Sequence, residues 1–169
     1  MTNVAFPTAI GRAPIGLALF EPDIPQNAGT IIRMAACFGC PVSIIEPAGF
    51  PVSDRAFRRA GMDYLDQAEI LRHVDFPAFD AWRRGFGARL VLATTRGAVS
   101  HPEARFRPGD ILLFGRESAG APDTVHAAAD LRVRIPIRPE LRSLNVAVSA
   151  AILLSEALRQ LNAFPVEPT

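Results

Sequence analysis

Residues 112–122 read LLFGRESAGAP, an apolar run that turns abruptly into a charged glycine loop. Leu112, Leu113 and Phe114 have the character of a buried strand, and Gly115 ends it. Arg116 and Glu117 then set opposite charges side by side, and Gly120 and Pro122 close the turn. Glycine directly after a buried strand lets a backbone approach a ligand closely. A carboxylate in the middle of that loop, however, is ill suited to cradling phosphate. The stretch predicts the carboxyl end of a core strand that faces a ligand other than a phosphate.

Working outward, short apolar runs alternate with helical patterns. IGLALF (15–20) predicts a first strand, and the loop EPDIPQN leads to Asn27, which can cap a helix burying Ile31, Ile32, Ala35 and Phe38. VSIIE (42–46) predicts a second strand. Ser53 opens a short helix that stops near Gly61, and 63–71 is a weak strand candidate. Pro77 starts a further helix through Trp82, and RLVLATT (89–95) is the clearest strand. DILLFG (110–115) follows, then a short helix opened by Pro122 and Asp123, and LRVRI (131–135) alternates as a strand. From Ser143 a long last helix spaces Ala147, Ala150, Ala151, Leu154, Leu158 and Leu161 for burial. Strands and helices in alternation predict an α/β fold with a mostly parallel sheet flanked by helices. One domain spans 15–162, with a loosely ordered extension at 1–14 and a tail at 163–169.

The composition is that of an ordinary globular chain of 169 residues, 49% hydrophobic with a formal net charge of +1. There is no apolar run of the ~18 residues a membrane span needs and no signal-peptide pattern at the start, so a cytoplasmic protein is expected. Cys37 and Cys40 form a C-x-x-C pair, but the three histidines, His73, His101 and His126, are scattered. A zinc site would need two more ligands, so no metal is expected and both cysteines read as buried or half-buried thiols. All eighteen basic residues are arginine. Genome composition explains this as well as bidentate phosphate binding does. The clusters Arg55, Arg58, Arg59 and Arg132, Arg134, Arg138, Arg142 permit a phosphate-backbone partner.

Ligands of open parallel sheets bind beyond the carboxyl ends of strands. Three such ends here carry unusual residues: ATTRG, GRESAG and PIRPELRSLN. There is no G-x-G-x-x-G after the first strand and no lysine for a P-loop, which argues against a dinucleotide fold and a P-loop NTPase. PQNAGTIIR, LLFGRESAG and RIPIRPELRSLNVAVSAAILLSEALRQL resemble the three motifs of the SPOUT superfamily of RNA methyltransferases, in its ribose 2′-O-methylating branch. FEPDIPQNAGTIIRMAACFG, IIEPAGF, RRAGMDY and TTRG are similar in order and spacing to the small, single-domain TrmL-like tRNA wobble-nucleotide 2′-O-methyltransferases. The resemblance covers about residues 15–162.

What the resemblance implies goes beyond what topology rules would propose. The C-terminal part of the fold would thread into a deep trefoil knot, although knots are nearly absent from proteins at large. S-adenosylmethionine would lie bent among the three loops, against Ala93, Gly115, Ile135 and Ser143, with Thr94, Ile137 and Leu144 beside them. Gly115 would let the backbone pass close to this phosphate-free cofactor, and Glu117 would order the loop or meet the RNA ribose. Arg33 occupies the position assigned to activation of the ribose 2′-hydroxyl. Because guanidinium stays protonated, the preferred role is to hold the adjacent phosphate and stabilise developing alkoxide charge. Asn27 and Asn145 would position the ribose or the neighbouring loops.

The substrate implied is the wobble nucleotide, position 34, a cytidine or modified uridine in the anticodon stem-loop of tRNA. The enzyme would be a homodimer, with Arg55, Arg58, Arg59, Arg138 and Arg142 against the RNA backbone. An rRNA 2′-O-methyltransferase and a non-catalytic RNA-binding protein on the same scaffold are the alternatives. Bland readings stand beside the sharp ones: Asn27 and Ser143 as helix caps, Arg33 as a solvated face, Glu117 as a surface partner of Arg116, and His73 and His126 as structural or surface groups. One departure is Val148, which stands where some wobble enzymes carry a second asparagine.

Overall fold

The computed structural model describes residues 6–8, 11–51, 53–97 and 99–168. Two short strands come first, β1 (Phe6–Thr8) and β2 (Gly11–Ala13), paired antiparallel. They lie in the stretch 1–14 where no element was expected, and residues 1–5, 9 and 10 of that stretch fall outside the described residues. The main sheet is built from β3 (Ile15–Phe20), β4 (Val42–Ile45), β5 (Ile70–His73), β6 (Leu90–Ala93), β7 (Val99–Ser100), β8 (Asp110–Phe114) and β9 (Leu131–Arg134). Its seven strands run in the order β5-β4-β3-β8-β6-β9-β7, and every pairing between them is parallel.

Helices cover both faces, as a parallel sheet requires. Successive side chains of a strand point to opposite faces, which divides the core in two. Leu17, Leu19, Val91, Leu112, Phe114 and Val133 pack under α1 (Pro25–Phe38), α2 (Arg55–Gly61) and α5 (Val146–Gln160). Ala18, Phe20, Leu90, Leu92, Ile111 and Leu113 pack under α3 (Phe76–Gly85) and α4 (Asp123–Ala128), through Phe79 and Val125. The central strands β3 and β8 are buried along their whole length, which is why they read as unbroken apolar runs.

Helix starts differ from expectation in an instructive way. α1 begins at Pro25, so Asn27 lies inside its first turn and does not cap it. Proline at the first helical position has its φ preset and no N–H to satisfy. Asp54, not Ser53, caps α2 by accepting from the Phe57 N–H at 3.0 Å. Asn145, not Ser143, caps α5, its Oδ1 accepting from Ala147 N at 2.8 Å and Val148 N at 3.3 Å. The weak strand expected over 63–71 resolves into a 3-10 turn at Met62–Asp66 followed by β5. No helix or strand follows α5 up to residue 168.

The order of the last strands positions the site. β6 and β7 are near neighbours in the chain, yet β9 lies between them. Thr94 N donates to Val133 O at 2.9 Å and His101 N to Arg134 O at 2.9 Å, so the connection from β6 to β7 grips β9 on both sides. The loops after β6, β8 and β9 consequently converge at one end of the sheet.

Candidate active site

These three loops, with the start of α5, enclose a cavity of about 600 Å³. That volume is in the range of sites for small cofactors. Ala93, Thr94 and Thr95 come from the end of β6, and Gly115, Arg116 and Glu117 from the end of β8. Ile135 and Ile137 follow β9, and Ser143, Leu144 and Asn145 lead into α5. Every residue expected at the cofactor thus lines this one cavity: Ala93, Thr94, Gly115, Ile135, Ile137, Ser143 and Leu144. Of the residues expected to act on the ribose, Asn27, Glu117 and Asn145 also line it. Arg33 does not.

Arg33 is exposed on α1. Its guanidinium donates from Nη1 to Met62 Sδ at 3.0 Å and lies 5.0 Å from the centre of the Tyr64 ring. The helix explains the separation. Six residues beyond Asn27, Arg33 is displaced by ~9 Å along the axis and about 240° around it. It lies toward the Met62–Asp66 turn while Asn27 faces the cavity.

Asn27 and Asn145 are joined. With Asn145 Oδ1 engaged in capping α5, its amide nitrogen donates to Asn27 Oδ1 at 3.0 Å. This orients Asn27 as well, because an oxygen that accepts from Asn145 leaves the Asn27 NH₂ group as a free donor at the cavity. The bond spans the N-terminal helix and the last one, across 118 positions.

Glu117 is tied to the loop after β3, not to Arg116 as a surface pair. Asp23 N donates to Glu117 Oε2 at 3.2 Å, and Glu117 N donates to Asp23 Oδ1 at 3.1 Å. Ser118 Oγ donates to the other Asp23 oxygen. Burial, reinforced by the neighbouring Asp23 carboxyl, raises the Glu117 pKa. The Glu117 side chain, helped by Ser118 and the Glu117 backbone N–H, lowers the Asp23 pKa against the opposing effect of burial. Arg116 pairs with Glu21, its Nη1 3.2 Å from Oε2, and its Nε lies 3.8 Å from Asp23 Oδ2. Backbone N–H groups and Arg116 thus hold the acidic side chains of this loop in place, which accounts for acidic residues in a glycine turn.

Gly115 lines the cavity, and the fold has its own need for glycine there. A Cβ at this position would sit 2.5 Å from Ala121 N and 2.5 Å from the Gly120 carbonyl carbon. The close approach that demands glycine is the loop folding onto itself, held by Arg116 N→Gly120 O at 3.1 Å and Gly120 N→Arg116 O at 2.7 Å.

Sequence reasoning missed His126. It is buried on α4, and its Nε2 lies 2.9 Å from Thr94 Oγ1 at the cavity wall. Nothing in the sequence signals the contact, which joins residues 32 positions apart. His73 does pack as a structural group, 3.1 Å from Ser43 Oγ, edge-on to Phe79 and tilted against Trp82, and burial lowers its pKa. Cys40 is buried and its thiol is pushed up to about 12, whereas Cys37 is exposed, contrary to the reading of both as buried or half-buried. Among the described residues no group of three or more His, Cys, Asp or Glu is placed to hold a metal ion. None of the described helices is long and apolar enough to cross a membrane.

Arg142 lines the cavity, while Arg138 is exposed and paired with Glu140. Arg55 and Arg59 flank a separate shallow hollow beside Gln26 and Asp54.

Comparison with known proteins matches this geometry to a family. A model of the SpoU rRNA Methylase family matches residues 14–155. The tRNA (cytidine(34)-2′-O)-methyltransferase of Beijerinckia indica subsp. indica is 63% identical over 147 residues, covering 87% of this chain and 92% of that protein. The protein of the same name from Escherichia coli (strain K12) is 39% identical over 149 residues, covering 87% and 94%. A solved structure described as "Structural insights into the 2-OH methylation of C/U34 on tRNA" superposes with a TM-score of 0.84 at 43% identity, over 88% of this chain and 96% of that one. The SpoU methyltransferase AviRb from Streptomyces viridochromogenes, in complex with the cofactor AdoMet, superposes with a TM-score of 0.82 at 28% identity, over 90% and 62%. The convergence of three strand-end loops on one cavity and the length of these matches lead to one conclusion: the chain belongs to the SpoU methylase family.

Proposed function

We propose that this chain is an S-adenosylmethionine-dependent methyltransferase that modifies the ribose 2′-hydroxyl of the wobble nucleotide of tRNA, cytidine or modified uridine 34. The observation that carries this reading is the cavity itself, where Ala93, Thr94, Gly115, Ile135, Ile137, Ser143 and Leu144 meet Asn27, Glu117 and Asn145. Its wall suits the cofactor: apolar Ile135, Ile137 and Leu144 match the faces of an adenine. The acidic side chains at the β8 loop are engaged with one another's backbone and with Arg116, and a ligand without phosphate meets no repulsion from them. The cofactor when bound supplies a methyl group made electrophilic by the sulfonium charge. The chain's own residues then align the ribose oxygen and favour loss of its proton. Asn27, with its NH₂ group free at the cavity, and Asn145, which orients it, act as the positioning pair. Glu117 keeps the β8 loop closed through Asp23.

Arg33 serves from outside the cavity in this reading. An exposed guanidinium resting on Tyr64 is available to take the phosphate next to the target ribose and to offset the charge that develops there. Arg142 at the rim, and Arg138, Arg55, Arg58 and Arg59 further out, extend a path for the RNA backbone. The partner is the anticodon stem-loop of tRNA in the cytoplasm.

The domain is taken to span 15–162, with the trefoil knot in its C-terminal part. The insertion of β9 between β6 and β7 supports that topology. A homodimer completes the reading. Ile24, Leu141, Leu144 and Val148 are large apolar side chains left exposed around the cavity mouth and the start of α5, a surface that a second copy would cover. The 63% identical relative favours tRNA over rRNA and an enzyme over a passive binder. The test is methyl transfer from labelled S-adenosylmethionine to unmodified tRNA and to rRNA fragments, mapped by nuclease digestion and mass spectrometry. A single 2′-O-methyl at position 34 of tRNA is expected. Methylation of rRNA alone, or of no RNA, would overturn the proposal.

A further inference from the structure

Behind the cavity wall, Thr94, Arg96, Asp123 and His126 form one hydrogen-bonded group. Thr94 is the first residue after β6 and faces the cavity. His126 Nε2 is 2.9 Å from Thr94 Oγ1, and His126 Nδ1 is 3.1 Å from Arg96 Nη2. Asp123 Oδ1 accepts from the same Arg96 nitrogen at 3.2 Å, which steadies the guanidinium. The Arg96 backbone N–H also donates to Thr94 Oγ1, at 3.2 Å.

The protons in this group can be assigned. Guanidinium nitrogens only donate, so Nδ1 of His126 faces Arg96 with its lone pair. Pro122 O lies 3.2 Å from Nδ1 and is the competing partner. That carbonyl already accepts from Val125 N at 3.0 Å and His126 N at 3.1 Å, which occupies both of its lone pairs. The ring proton therefore resides on Nε2 and is donated to Thr94. Thr94 Oγ1 then accepts twice, from His126 Nε2–H and from Arg96 N–H. A hydroxyl has two lone pairs and one proton. With both lone pairs taken by groups behind the wall, only the O–H is left for the cavity. Among the described residues no acceptor for it is present.

We infer that His126 is a positioning residue that sets Thr94 as a hydrogen-bond donor to the bound cofactor, so that the site selects a nitrogen or oxygen lone pair at that point. The inference rests on the reading of the cavity as a site for S-adenosylmethionine. A histidine that merely filled space under α4 would contribute to stability without steering the Thr94 hydroxyl.

Calorimetric titration with S-adenosylhomocysteine separates the two. Thr94→Val should weaken binding about tenfold, the worth of one such hydrogen bond, and Thr94→Ser should restore most of it. His126→Leu should weaken binding several-fold, and adding it to Thr94→Val should cause no further loss, because the two act through one proton. His126→Gln keeps a donor for Thr94 and an acceptor for Arg96 and should bind within about twofold of wild type. Additive losses in the double variant, or wild-type affinity in Thr94→Val, would overturn the inference while leaving the cofactor site standing. No binding by the wild-type protein would overturn both. Nitrogen-15 NMR of the unaltered protein gives a check independent of any substitution. The neutral His126 ring should carry its proton on Nε2, and a proton on Nδ1 would refute the assignment.

Discussion

Replacing Gly115 with alanine should damage the fold before it damages binding. The added Cβ would lie 2.5 Å from Ala121 N, 2.5 Å from the Gly120 carbonyl carbon and 2.9 Å from Gly120 Cα. All three are backbone atoms, so no side chain can swing aside and the loop itself has to shift. Forcing extra volume into a closed site costs about 1–3 kcal/mol. Opening the loop also weakens the two backbone bonds between Arg116 and Gly120, at about 1 kcal/mol each. A total of about 3–5 kcal/mol corresponds to a fall in Tm of roughly 9–15 °C for a chain of this size. Gly120→Ala gives the internal control. Gly120 has a φ of +66° but nothing within 4 Å of an added Cβ. It should lose only the strain of a left-handed residue, about 1–2 kcal/mol and roughly 3–6 °C. Thermal unfolding followed by circular dichroism, with S-adenosylhomocysteine titration at a temperature where each variant is folded, measures both. A Gly115→Ala protein that melts within 2 °C of wild type would refute the packing argument. Loss of affinity without loss of stability would instead restore a direct role for Gly115 against the cofactor.

Arg33→Ala should cost no more than about 1 kcal/mol of stability, the scale of one exposed cation–π contact, and leave cofactor affinity unchanged. Single-turnover transfer to tRNA should fall roughly 100-fold if the guanidinium stabilises charge in the transition state, and full activity would remove Arg33 from the chemistry. Replacing Arg138 and Arg142 together with alanine should weaken tRNA binding and flatten its salt dependence, since fewer counterions are released. An unchanged slope would redirect the RNA path to Arg55, Arg58 and Arg59. His73 predicts a pH effect whose sign follows from burial, which lowers its pKa in the fold. The unfolded chain takes up the proton below about pH 6.5, so this contribution is whole above that pH and is lost as pH falls through the lower folded value. Urea stability measured from pH 7.5 to 5 should decline less steeply in His73→Gln than in wild type, and identical profiles would exclude the histidine as a cause.

The parts of this protein that were legible in its sequence are those governed by local chemistry. IGLALF and DILLFG declare buried parallel strands because both faces of such a strand are covered and no polar alternation is needed. The three strand-end loops stood out because glycine, proline and charge interrupt apolar runs there, and resemblance tied their order to one family. Local rules also misplaced the starts of two helices. Pro25 started α1 ahead of Asn27, and Asn145 capped α5 in place of Ser143. What the tertiary structure alone decided is how these residues are paired. Asn145 meets Asn27 across 118 positions, Glu117 meets Asp23 across 94, and His126 meets Thr94 across 32. Propensity and periodicity act over a turn of helix or a few residues of strand and carry no information on such distances. The insertion of β9 between β6 and β7 brings the loops together. That closure brings Thr94, Gly115, Ile135 and Ser143 to one cavity, whereas Arg33 lies on Tyr64 because of its place on α1.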